Sequence, residues 1–124
     1  MSDQEQCTVL YKILTPAERQ SLPDGQWKGS ELDLKDGFIH LSTSTQIPET
    51  LKLFFSAESG AGNELYIAAL PRKFIDESVL RFEPAGSGCG HIYGTVDAGK
   101  DFVDIRKITR SGPQGTFELG NLTF

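Results

Sequence analysis

Apolar and polar positions change period several times along this chain, and each change marks an element. Val9, Tyr11 and Ile13 alternate with Leu10, Lys12 and Leu14, the period-two pattern of a strand that is apolar on both faces. Thr15-Pro16-Ala17-Glu18 then has capping-box spacing with proline at the first helical position, which predicts a short helix to about Leu22, stopped by Pro23-Asp24-Gly25. Beyond Trp27 and Gly29-Ser30, Glu31-Leu32-Asp33-Leu34-Lys35 alternates again. A short strand and an irregular arm both fit that segment.

The stretch from Asp36 to Thr43 is a turn leading into a short strand, with Phe38, His40 and Ser42 on one face and Ile39, Leu41 and Thr43 on the other. Thr43 and Gln46 stand in capping-box spacing, and Ile47, Leu51, Phe54 and Phe55 recur at helical intervals. Pro48 lacks an N–H, so the helix is expected to start near it, with residues 43–47 as a tight turn. Ser56 to Asn63 reads as a surface loop and Leu65 to Leu70 as an interior strand ended by Pro71. Leu80-Arg81-Phe82-Glu83 predicts a strand with Leu80 and Phe82 inward. The loop Gly86 to Gly90 leads to another strand, His91 to Val96, on which His91, Tyr93 and Thr95 share a face. Phe102 to Ile108 alternates once more, and the turn Ser111-Gly112-Pro113 precedes a final short segment, Phe117 to Leu122. The expectation is an α+β domain of six or seven strands and two short helices around a mixed or antiparallel sheet. Residues 1–7 read as a loose leader and 8–124 as a single globular domain.

Composition narrows the function classes. With 38% hydrophobic and 23% charged residues, a folded core is expected in 124 residues. A net charge of -5 argues against a large nucleic-acid partner. Cys7 and Cys89 are too few for a disulfide framework and have no paired metal-ligand spacing, so they read as reduced thiols. The polar, acidic N-terminal residues do not resemble a signal peptide, and no apolar run approaches the ~20 residues that span a bilayer. Together these place the protein in the cytosol, with the nucleus as the alternative. They leave a protein partner open.

The two histidines are the candidates for chemistry, because both fall on predicted strands beside hydroxyls: His40 with Ser42, and His91 with Tyr93. The bland alternative is a pair of core histidines satisfied by backbone groups. No G-x-S-x-G elbow is present, and two histidines without a spaced carboxylate do not make a zinc site. Glu83, next to the glycine loop, is the carboxylate most suspected, against the plain reading of a solvated strand end. Tyr11 and Lys12 read most simply as a packed tyrosine and a solvent-facing lysine.

Tyr11-Lys12-Ile13, Gly37-Phe38-Ile39-His40-Leu41-Ser42 with Gln46 following, Leu80-Arg81-Phe82-Glu83 and His91-Ile92-Tyr93-Gly94 together resemble the family called domain of unknown function 952. The likeness spans roughly residues 8 to 108. That family is grouped by fold with the ADP-ribosyltransferases, so the resemblance implies a split, mostly antiparallel sheet with a few short helices and NAD as a substrate in its cleft. Taken with the reading of the residues themselves, it makes His40, Ser42 and His91 the catalytic candidates, with Glu83 reaching in from a neighbouring strand, and Tyr11, Lys12, Phe38, Arg81 and Tyr93 the candidate ligand contacts. Ile39-His40-Leu41-Ser42 is also similar to a stretch of the RNA 2'-phosphotransferases, for whose phosphate ligand Arg81 is suited. The strand that carries a catalytic glutamate in that fold corresponds to His91 to Thr95, which has none. The absence matters because a nearby carboxylate stabilises the positive charge that develops on the ribose when nicotinamide leaves. The remaining alternative is a module that binds a small molecule or a protein through the same cleft without catalysis.

Overall fold

The computed structural model describes residues 6–54, 63–83, 89–111, 116–117 and 119–124, among which nine strands and three α-helices are found. In order these are β1 (Val9–Leu14), α1 (Pro16–Gln20), β2 (Gln26–Trp27), α2 (Glu31–Asp36), β3 (Ile39–Leu41), α3 (Ile47–Phe54), β4 (Glu64–Pro71), β5 (Leu80–Glu83), β6 (Cys89–Ile92), β7 (Val96–Asp97), β8 (Asp104–Ser111) and β9 (Thr116–Phe117). A 3-10 turn, Arg72–Phe74, follows β4. The architecture is α+β, and the paired strands run antiparallel.

Among the described residues three sheets form: β1-β4-β8-β9, β3-β6-β5 and the pair β2-β7. The apolar run Leu65 to Leu70 lies in β4, between β1 and β8, as expected of an interior strand. A single bridge between Tyr11 and Ser42 links the first sheet to the second, with N···O distances of 2.7 and 2.8 Å. Leu10 and Leu14 of β1, Ala68 and Leu70 of β4, Ile39 and Leu41 of β3, Leu80 and Phe82 of β5, and Ile92 of β6 form one buried cluster. The opposite face of β1 and β4 packs through Tyr11, Ile13, Leu65 and Ile67 against Ile47 and Leu51 of α3. The inner face of β3-β6-β5 therefore belongs to the core and its outer face does not.

Local signals account for most elements. In α1 the capping box closes in both directions, Thr15 N–H to Glu18 Oε1 at 2.9 Å and Glu18 N–H to Thr15 Oγ1 at 3.2 Å. Thr43 N–H donates to Gln46 Oε1, and α3 begins at Ile47 with residues 43–46 as the preceding turn, which leaves Pro48 in the first helical turn where its missing N–H costs nothing.

Several expectations need correction. Glu31 to Asp36 is a helix, neither strand nor arm, because Ser30 caps it and Asp33 returns the bond to the Ser30 N–H. Its alternating leucines are not core residues: Leu32 and Leu34 are 58% and 59% exposed, while Asp33 is the buried residue. The strand at His91 ends at Ile92. The chain then bends, so Thr95 donates its hydroxyl to Gln26 and does not share the His91 face. Regular pairing in the run from Phe102 begins only at Asp104. Cys7, counted with the leader, is buried in the core. Phe55, the loop residues 56–62, the glycine-loop residues 86–88 and the turn residues 112–113 lie outside the described residues.

Candidate functional site

The outer face of β3-β6-β5 gathers most of the residues singled out above. Register pairs His40 directly with His91, and His91 with Arg81, so these three side chains leave the sheet on the same side. Phe38, just before β3, and Tyr93, just after β6, complete the group. Phe38 stacks on His91 with ring centroids 4.2 Å apart at 26°, and stands 4.7 Å from His40 and 5.1 Å from Tyr93. The two imidazoles meet edge to face at 5.4 Å.

Each histidine has a carboxylate at Nδ1. Glu83, two residues beyond Arg81 on β5, places Oε1 2.9 Å from His91 Nδ1, and the same oxygen accepts the Tyr93 hydroxyl at 2.6 Å. These two hydrogen bonds, Tyr93's foremost, hold the Glu83 carboxyl below its ordinary pKa. Reciprocally, the bond to Glu83 raises the Tyr93 phenol. His91 Nε2 has no hydrogen-bond partner among the described residues.

The His40 side was not legible. Asp33 Oδ1 lies 2.6 Å from His40 Nδ1 and also accepts the His40 backbone N–H at 3.2 Å. Asp33 Oδ2 takes the Ser30 N–H at 2.9 Å. Lys12 Nζ stands 3.0 Å from Oδ1 and 2.8 Å from Oδ2. Lys12 is thus not solvent-facing. It shares its face of β1 with the fully buried Leu10 and Leu14, is itself 6% exposed, and spends its charge on Asp33, which is 1% exposed. Burial works to raise the Asp33 pKa, but the Lys12 ammonium, with hydrogen bonds from Lys12, His40 and Ser30, outweighs it and holds the carboxyl below its ordinary value. Asp36, one turn along α2, approaches His40 Nε2 at 3.2 Å. Gly29 has φ +112°, and a Cβ there would stand 2.5 Å from Asp33 Cβ, so glycine is required both for the backbone and for the carboxylate's seat.

Other predicted residues point elsewhere. The buried Ser42 hydroxyl lies 3.3 Å from Thr50 Oγ1 at the start of α3. Tyr11 donates its hydroxyl to the Thr123 carbonyl at 3.0 Å and lines a cavity of about 230 Å³ on the far side of the first sheet. A second cavity, about 490 Å³, lies beside Cys7 and Arg72. Neither is lined by His40 or His91. No group of metal ligands is found among the described residues, and no helix among them is long and apolar enough to cross a membrane.

The family model described as "Protein of unknown function (DUF952)" matches residues 13–101. Among solved structures, the crystal structure of protein CC0527 from Caulobacter crescentus is similar, with 29% identity and a TM-score of 0.76 over 91% of this chain and 96% of that one. The solution NMR structure of CC0527 gives 28% identity and a TM-score of 0.72 over 90% and 93% of the two chains. No curated protein matches.

Proposed function

The chain belongs to the DUF952 family of proteins of unknown function, and from that premise we propose that the outer face of β3-β6-β5 binds a small molecule with a flat ring, NAD or a related nucleotide being the first to test. The observation that carries the reading is the in-register pairing of His40 and His91 around Phe38, each with its Nδ1 on a carboxylate. Core histidines satisfied by backbone groups would need no such partners. A carboxylate at Nδ1 assigns the hydrogen to that nitrogen and leaves Nε2 of His91 as an acceptor or proton-taking group. Phe38 and Tyr93 offer aromatic surface on which a planar ring can stack. The likeness of the sequence to the ADP-ribosyltransferase group makes NAD the natural first ligand.

Binding without chemistry is the second reading, and two contacts favour it over transfer. Ser42 is turned to Thr50, and Glu83 Oε1 accepts from both His91 and Tyr93, which gives this carboxylate the task of orienting the ring. Calorimetric titration with NAD, ADP-ribose and nicotinamide tests the site. Saturable heat from at least one of them, abolished by His91→Ala, is expected, and silence from all three at millimolar ligand would remove the reading. Release of nicotinamide from NAD, followed by chromatography, would put transfer ahead of binding.

A further inference from the structure

We propose that Lys12 and Asp33 are positioning residues of this face: a buried ion pair that fixes the His40 ring with Nδ1–H inward and Nε2 outward. The inference takes its purpose from the ligand-site reading above, but its geometry stands apart from any ligand. A carboxylate this deeply buried remains charged only with compensation, and Lys12 supplies that at both oxygens. An ionised carboxylate accepts and cannot donate, so the ring nitrogen 2.6 Å from Asp33 Oδ1 carries the hydrogen. The outward nitrogen, Nε2, meets the Asp36 carboxylate at the surface, which also accepts, so the Lys12–Asp33 pair fixes the hydrogen on Nδ1 whether or not Nε2 carries one as well.

The carboxylate cannot swing away. Lys12 ties it to β1, the Ser30 N–H ties it to the head of α2, and the His40 N–H ties it to β3. Gly29 packs against its Cβ from the fourth side. Glu83, the corresponding partner of His91, is half-exposed and is held by side chains of one neighbouring strand and the bend after it. The face therefore pairs an imidazole held by a buried, four-sided carboxylate with one held by a half-exposed carboxylate. Stability alone is a poor reason for the arrangement, since well-packed apolar residues commonly replace buried ion pairs at no loss. Aiming a ring is something apolar residues cannot do.

Long-range ¹H–¹⁵N correlation of the histidine rings in the ligand-free protein tests the proposal. His40 is expected to carry its hydrogen on Nδ1, with an Hδ1 resonance that exchanges slowly with water. In Lys12→Met/Asp33→Leu, which removes both charges and keeps the space filled, that resonance is lost while the His91 ring signals stay in place. A His40 ring without a hydrogen on Nδ1 in the unsubstituted chain, or survival of Hδ1 in the double variant, overturns the proposal. The unsubstituted spectrum decides the tautomer even if the double variant does not fold. Because no ligand is present, a negative calorimetric titration with a locked His40 ring would sink the ligand site alone, and a freely exchanging ring with NAD bound would sink the positioning role alone.

Discussion

The Lys12–Asp33 pair predicts an asymmetry between its two single variants. In Lys12→Met the Asp33 carboxylate loses its countercharge but keeps the hydrogen bonds from the Ser30 N–H, the His40 N–H and His40 Nδ1. In Asp33→Ala the Lys12 ammonium loses the one acceptor it has among the described residues, and α2 loses half of its capping box. Breaking a buried pair costs about 3–5 kcal/mol, and a lost capping interaction about 1 kcal/mol. Lys12→Met should thus fall near 3 kcal/mol and Asp33→Ala near 5 kcal/mol or above. At roughly 2.1 cal/mol/K of unfolding entropy per residue, 124 residues have about 0.26 kcal/mol/K, so each kcal/mol lowers Tm by about 4 °C. The expected drops are about 12 °C and 19 °C. Urea titration reports the same difference through circular dichroism, or through fluorescence of Trp27, which packs edge-on against Phe102. If Lys12→Met is the more damaging variant, or if either costs under about 1 kcal/mol, the reading of Asp33 as the hub is wrong.

Three further outcomes are expected. Folding lowers the Asp33 pKa, so its stabilisation is complete well above the unfolded value of about 3.9 and is lost as pH falls through the lower folded value; stability curves against pH should lose a step below about pH 4 in Asp33→Asn, and an unchanged acid limb would count against the pairing. Tyr93→Phe removes the first donor to Glu83, whose carboxyl should then titrate closer to the ordinary 4.3 or so by carboxyl-carbon NMR, with no movement at Asp33. Gly29→Ala forces both the backbone and the Asp33 seat, at a cost of about 1–3 kcal/mol in denaturant titration, whereas Gly25→Ala, where an added Cβ meets nothing, should be far milder.

Elements whose local chemistry agreed with their burial were readable in the chain: the Thr15 box of α1, the apolar run of β4, and the in-out alternation of Leu80 to Glu83. The helix α2 was not, because its amphipathicity is inverted. Its leucines face water and its aspartate faces inward, so apolar periodicity left only a strand or an irregular arm, while the informative marks were Ser30 three residues before Asp33 and Gly37 after the last turn, at φ +89°. Lys12 was misjudged for a related reason. Its countercharge, Asp33, lies 21 positions away in the sequence. His91 and Glu83 were both suspected, but their contact depends on the β5–β6 register, which no single strand encodes. The roles of Tyr11 and Ser42 as mutual backbone partners were hidden for the same reason.

That partnership has a mechanical meaning. The ladder holding the histidine sheet and the ladder holding the main sheet are each continuous, yet among the described residues they are stitched together at Tyr11 and Ser42 by one reciprocal pair of hydrogen bonds. The seam lies one residue from Lys12 and two from His40, and Asp33, carried on α2, holds Lys12 of one plate and His40 of the other. Shear between the plates is thus resisted by a short suture, by the Asp33 link beside it and by the apolar cluster that the two sheets share. The amide protons of Tyr11 and Ser42 become the natural gauge of that suture, their exchange with solvent reporting how often the plates part.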